Sequence, residues 1–257
     1  MRTPPMLRVV ERELVVSRRL WRGWVSSHLI TPLLYLTAMG VGLGAIVDDR
    51  GQTVEGLSYI QFVAPGLLAA TALMLAAGES LWPVMVGTKW MRTFHAMAAT
   101  SLRPADVFDG FLVWTALRAV AGSGLFLVGA ALLGGVSSPW GLLAIPAATL
   151  GAAAFAAPLA AYSATQDSDA TFPVIMRLGV VPLFLFSGTF FPVRQLPGAL
   201  QPVAALSPLW HTVELCRGAT SGSVGGAAVL AHVGILGALV AAGRAWGTRT
   251  FARKLAP

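Results

Sequence analysis

"SGTFFPVRQLPGALQPVAALSPLWHTVELCR", residues 187–217, decides how the chain is read. It breaks a long apolar run with prolines at 192, 197, 202 and 208, yet from Pro192 to Arg217 only Arg194, Glu214 and Arg217 are charged. A loop in water needs more polarity, and a helix crossing lipid tolerates fewer prolines. The stretch reads as a hairpin that dips into a membrane and returns, since irregular backbone survives there if protein or a watery cavity covers it. The residues of the re-entrant hairpin are Gly188, Pro192, Arg194, Pro197, Pro208, His211, Glu214 and Arg217. Glu214 and Arg217, three apart on one helical face, are expected to pair at the headgroup level.

A membrane is what the composition calls for. Hydrophobic residues make up 56% of the 257 and charged residues only 11%, against roughly 45–50% and about 25% in soluble domains. Apolar stretches near twenty residues, without ten-residue alternation, predict helices rather than barrel strands. The fold class is therefore an all-α integral membrane protein, with transmembrane helices at about 27–47, 60–86, 107–134, 140–162, 171–191 and 225–246. Residues 6–24 place Leu7, Val10, Leu14 and Trp21 at helical spacing, with arginines largely on other faces, which predicts an N-terminal interfacial helix. No cleavage pattern follows the charged lead, so the first run is read as a retained span.

Basic residues set the orientation. With the N-terminus inside, Arg2, Arg8, Arg12, Lys89, Arg92, Arg103, Arg253 and Lys254 are among many inside cations, and only Arg50, Arg194 and Arg217 lie outside. Both termini are then cytoplasmic, in a multi-pass protein of the cytoplasmic membrane. The net charge of +7 follows from that topology, and nucleic acid is excluded because the cations form no stripe with aromatics. No linker or repeat divides the chain, so residues 1–257 form a single transmembrane domain.

The segment 87–110 is too apolar for a solvated linker. Lys89, Trp90, Arg92, Phe94, His95, Met97 and Leu102 predict a short amphipathic helix over 89–102 on the cytoplasmic face, whose apolar patch wants a partner or rests on lipid. Pro104, Asp106 and Asp109 suit the first turns of the next helix. Within the spans, Glu79 and Arg118 lie at depths that bring an antiparallel pair together. Such charges cost about 2.5–3.5 kcal/mol each at mid-membrane and are kept for structure or for substrate. Arg177 is expected to snorkel or to meet Asp167 or Asp169.

Chemistry for catalysis is missing. No phosphate-cradling Gly-x-x-x-x-Gly-Lys-Ser/Thr occurs, and no Gly-x-Ser-x-Gly. His28, His95, His211 and His232 are scattered, so no metal site is expected, and Cys216 reads as a small apolar filler.

The stretch 184–218, with "SGTFFPV" at 187–193, "LP" at 196–197 and "PLWHTVELCRG" at 208–218, resembles the C-terminal signature of permease subunits of the ABC type-2 exporter family. "YIQFVAPGLLA" at 59–69 and "GTKWMRTFHAMAATSL" at 87–102 are most similar to the branch of lipo-oligosaccharide (nodulation-factor) export permeases. The resemblance implies a half-transporter. A second permease copy, identical or related, pairs with it, and two ABC ATP-binding subunits carry ATP and Mg, so this chain binds no cofactor and is no enzyme by itself. Residues 6–24 and the coupling helix 89–102 would touch those subunits, and 193–204 and 208–219 would be two re-entrant helices. An amphiphile, such as a lipid-linked saccharide or glycolipid, would leave through a groove bounded by the first and fifth spans. Tyr35, Phe172, Phe184, Phe186, Phe190 and Phe191 offer rings there for a sugar or acyl chain.

Multidrug efflux by the same architecture is the alternative. An intramembrane lipid-modifying enzyme needs a cluster of His, Asp or Ser that the sequence lacks, and a purely structural role does not explain the polar breaks at 187–218.

Overall fold

A computed structural model of the chain describes residues 4–25, 30–48, 53–223 and 225–256. His28 and Arg50, and the side chain of Trp21, lie outside what is described. In chain order the helices are α1 (Pro5–Val25), α2 (Thr31–Val47), α3 (Tyr59–Trp90), α4 (Thr93–Ala98), α5 (Pro104–Leu132) and α6 (Pro139–Thr165). They continue as α7 (Phe172–Phe186), α8 (Gln201–Ala205), α9 (Pro208–Ser221) and α10 (Gly226–Lys254). Among the described residues there is no strand, only one isolated bridge between Val54 and Leu57.

Four of these, α3, α5, α6 and α10, are long and apolar enough to cross a membrane. The sequence predicts six. α2 and α7 fill the other two places but are shorter apolar helices, which at 1.5 Å per residue reach about 25 and 22 Å against a hydrocarbon core of ~30 Å. Both contain π-helical turns, Thr37–Leu43 in α2 and Ile175–Val180 in α7. In α7 the wide turn runs up to Pro182, whose ring would otherwise press on the carbonyl four residues back. α7 stops at Phe186, five residues before the predicted end, because Gly188 turns the chain at φ +84°.

Local chemistry explains several helix starts. Pro104 opens α5, and Asp106 accepts from the Arg103 backbone N–H at 3.0 Å while pairing with the Arg103 guanidinium. Ser207 caps α9, its Oγ accepting from Leu209 N–H at 3.1 Å, and Gly222 ends that helix at φ +74°. Each cap satisfies backbone groups that a helix end would otherwise leave open.

α3 is the hub. Of its apolar window 78% is buried, against 11% for α10, so α3 runs through the bundle and α10 along its outside. The buried side of α6 is nearly all small, with Ala148, Ala152, Ala156 and Ala160 lying against α3. Small residues let helix backbones approach when lipid offers no hydrophobic drive. On its other flank Gly243 of α10 sits where a Cβ would come within 2.7 Å of Ala157 Cβ and Pro158 N.

Gly66 is the tightest of these approaches that involves main chain. A Cβ there would lie 2.6 Å from the Thr189 carbonyl oxygen and 2.9 Å from its Cα. Main chain cannot rotate away, so Gly66→Ala is expected to destabilise by about 1–3 kcal/mol. Gly78→Ala, in open space on the same helix, is expected to be neutral or slightly stabilising, as thermal unfolding in lipid nanodiscs will show.

Both termini meet at one end of the bundle. Val9 of α1 packs on Gly110 of α5, and Arg8 reaches Ser101 Oγ at 3.2 Å. Part of the predicted apolar face of α1 therefore packs within the chain. Val9 and Val10 are buried, whereas Leu14, Val15 and Val16 are exposed. At the other terminus Phe251 of α10 stacks between Phe94 and Phe108, at 5.6 and 4.9 Å between ring centres. Arg244 clasps Asp109 through two 2.7 Å bonds, so Asp109 serves an ion pair between helices.

Candidate functional site

A cleft of about 600 Å3 opens between α2, α3, α5 and α7. Its walls are apolar, with Leu67, Leu75 and Ala119 at the back, and Thr31, Thr71 and Ser123 the hydroxyls among its lining residues. Tyr35 and Phe184 line it. The other predicted groove aromatics are placed differently. Phe190 touches Phe184 edge-on at 5.2 Å, and Phe186 and Phe191 pair with each other at 6.5 Å away from the lining. Phe172 does not belong to the groove at all. It is fully buried against Trp82, Leu81 and Met85, because α7 begins by tucking its first ring under α3.

Glu79 and Arg118 are not among the cleft's lining residues but pair just beyond them. Arg118 Nη1 lies 2.7 Å from Glu79 Oε1, each side chain about one-fifth exposed. Leu75 of the lining is one turn from Glu79 on α3, and Ala119 of the lining follows Arg118 on α5, so the pair lies on the side of the cleft nearest the termini. Trp114 lies beside the guanidinium at 6.0 Å. The cleft is therefore apolar along its length, with an ion pair next to one end of it.

At the end carrying the termini, the amphipathic helix predicted over 89–102 is the six-residue α4, entered by a π turn at Val86–Trp90. Phe94 and Leu102 face inward with Val107, Phe108 and Phe251, and Met97 packs partly against them. That half of the patch is satisfied within the chain. Lys89 donates to the Asp167 carbonyl, and His95 Nε2 contacts the Lys254 carbonyl at 3.1 Å. Asp167 also accepts from Lys254 at 3.1 Å, which holds its carboxyl below the ordinary aspartate range and keeps this surface pair charged at neutral pH. What projects is a tip. Trp90 is 53% and Met91 72% exposed, and Arg92 sits at φ +52°, a conformation uncommon for a side chain with a Cβ. Met91 was missed in the sequence because it looked like one more apolar residue of a helix.

Arg177 is exposed on α7 and meets neither aspartate; Asp169 instead accepts from Trp82 Nε1 at 3.3 Å.

At the opposite end, 193–219 contains a 3-10 turn at Val193–Gln195, then α8 and α9, all too short to cross a membrane. α9 buries Leu209, Val213 and Cys216 in the bundle core. Glu214 and Arg217 do pair, at 3.0 Å, but not at an open surface. Arg217 is 6% exposed, donates to the Gly188 carbonyl at 2.6 Å and lies 3.9 Å from the centre of the Phe62 ring. The hinge glycine is thus held from below by a buried cation. Arg194 pairs with Glu55 at 3.4 Å, tying 53–58 to the segment after α7. His211 and His232, 21 residues apart, meet through their Nδ1 atoms at 2.7 Å. Separate helices carry them, so no spacing rule reveals the contact. Among the described residues no three His, Cys, Asp or Glu side chains gather to hold a metal.

A helical domain with four membrane-spanning candidates, an apolar cleft and a projecting apolar tip fits a transport permease. Residues 7–220 match the ABC-2 type transporter family, and the chain belongs to it. It is similar to Nodulation protein J of Rhizobium meliloti (strain 1021), 34% identical over 88% of this chain and 86% of that one. Nodulation protein J of Rhizobium leguminosarum bv. viciae is also 34% identical, over 87% of each chain. That of Azorhizobium caulinodans is 27% identical over 81% of each. The chain is a permease subunit of an ABC exporter, a membrane protein that works with an ATP-binding subunit.

Proposed function

We propose that the chain moves an amphiphile with a saccharide headgroup, a lipo-oligosaccharide or glycolipid, outward across the cytoplasmic membrane. The observation that carries this reading is the cleft, with apolar walls for an acyl chain and, just beyond its lining, the Glu79–Arg118 pair as a polar neighbour for a headgroup. The relatives' names connect this sequence type to nodulation, which favours a glycolipid over a drug.

In this reading both termini are cytoplasmic. α1, the segment 89–103 and the end of α10, which together carry twelve of the eighteen Lys and Arg residues, lie together at one end, as the positive-inside rule asks. α2 and α7 act as the first and fifth of six spans, and α8 and α9 form the re-entrant pair in the outer leaflet. Two such chains associate with two ATP-binding subunits, which supply ATP and Mg; this chain binds neither. Trp90, Met91 and Arg92 form the tip that enters the ATP-binding subunit. Its movement passes through Phe94 to Phe251 and Phe108, and so to α5, the helix that bears Arg118 and one wall of the cleft.

The expected test is direct. Trp90→Ala with Met91→Ala is expected to weaken co-purification with the ATP-binding subunit at least about tenfold. Thermal stability of the permease alone should stay unchanged, because both side chains are exposed. Unaltered recruitment would refute the tip's role.

A further inference from the structure

A second pocket, of about 480 Å3, lies at the end of the bundle opposite the termini, between α9 and the segment after α7. Its walls differ chemically from the cleft's. They include Glu55, Arg194, Gln201, Trp210, Glu214 and Arg217.

The groups are fixed in place before any ligand arrives. Gln201 Nε2 donates to the carbonyls of Leu196 at 2.9 Å and Arg194 at 3.1 Å, which orients its amide. The indole of Trp210 is held edge-on by His211 and His232, at 4.9 and 5.2 Å between ring centres. Arg217 is 6% exposed, anchored on Gly188 and Glu214, and its Nε is buried with no hydrogen-bond partner. A buried donor without a partner is costly unless something satisfies it.

Charge decides the class of ligand. The two guanidiniums are already paired with the two carboxylates, Arg194 with Glu55 at 3.4 Å and Arg217 with Glu214 at 3.0 Å. The lining is therefore balanced in charge, and an ion of either sign meets a like charge beside its counter-charge. A neutral polyol meets no such repulsion and finds both donors and acceptors, because paired carboxylates keep free lone pairs and guanidiniums keep free N–H groups. The indole offers an apolar face to the C–H side of a sugar ring. The volume lies in the range of small-molecule sites.

We propose that this pocket is a saccharide site, stacking a neutral sugar on Trp210 and hydrogen-bonding its hydroxyls through Gln201, Glu55 and the Arg194 and Arg217 guanidiniums. Its place on the exit path of an exported glycolipid rests on the function and orientation proposed above, whereas sugar binding itself does not.

The test uses the full chain alone in lipid nanodiscs, with saturation-transfer NMR of two neutral tetrasaccharides, maltotetraose and chitotetraose. Saturable binding of at least one in the millimolar range or tighter is expected. Trp210→Leu is expected to weaken it at least about tenfold, and Gln201→Leu several-fold. Gly78→Ala, in open space on α3 and away from both pockets, should leave it unchanged. If Trp210→Leu does not fold, Gln201→Leu on a chain of wild-type thermal midpoint carries the test. No saturable binding, binding indifferent to Gln201→Leu, or tighter binding of inorganic phosphate or choline than of either sugar would each overturn the proposal. Sugar binding in a chain that recruits no ATP-binding subunit upholds the pocket and removes the exporter; recruitment without sugar binding does the reverse.

Discussion

Replacing Arg217 by methionine is expected to cost about 1–3 kcal/mol of stability, because it leaves the carbonyls of Gly188 and Phe62 without their buried donor. The guanidinium makes three polar contacts that a thioether cannot, to Glu214 and to the carbonyls of Gly188 and Phe62, and lies over the Phe62 ring. It also fixes Gly188, whose φ of +84° directs the chain from α7 into the outer segment. Glu214→Gln is expected to cost about 1 kcal/mol or less, because Glu214 is 37% exposed and water replaces part of the loss. Unfolding of the two variants in nanodiscs compares them directly. If Arg217→Met falls within 1 kcal/mol of wild type, Arg217 is not the anchor of this end of the bundle.

The second large effect belongs to the ion pair beside the cleft. Glu79→Ala removes the carboxylate 2.7 Å from Arg118, a largely buried cation with Glu13 as a further acidic neighbour, and is expected to cost about 1–3 kcal/mol. Arg118→Gln strands Glu79 in the same way. The double variant Glu79→Gln with Arg118→Gln is expected to cost less than the sum of the singles, since it removes both charges. A charge exchange, Glu79→Arg with Arg118→Glu, should recover most of the stability. Transport then separates structure from recognition. A double variant that folds but no longer moves substrate assigns the pair to the headgroup, whereas normal transport makes it a strut. Additive single costs would contradict any direct pairing.

Features set by neighbouring residues were legible in the sequence. Pro104 and Asp106 mark the start of α5 because helix capping is local chemistry, and the long runs of α3 and α6 declare themselves by length. The depths of Glu79 and Arg118 placed them together because an antiparallel helix pair has a simple geometry. What depends on distant partners was hidden. Phe94 appeared available to another protein, and only the fold brings Phe251 against it. Phe172 and Phe184 are the same residue type on the same helix, yet one is buried under Trp82 and the other lines the cleft. π turns in α2 and α7 change which residues face the cleft without altering hydropathy. Glu214 and Arg217 were matched correctly by spacing, but the burial of Arg217 was not visible, because the Gly188 carbonyl and the Phe62 ring come from other parts of the chain.

The central claim is that this chain and an ATP-binding subunit together drive an amphiphile across the bilayer. Its most direct test is reconstitution of both in proteoliposomes with a fluorescent lipo-oligosaccharide in the membrane, scoring by a membrane-impermeant quencher how much reaches the opposite leaflet. The account predicts movement that requires ATP hydrolysis and is lost in the Trp90→Ala, Met91→Ala permease. Movement that proceeds equally without ATP, or none despite a stable complex with active ATPase, would contradict it.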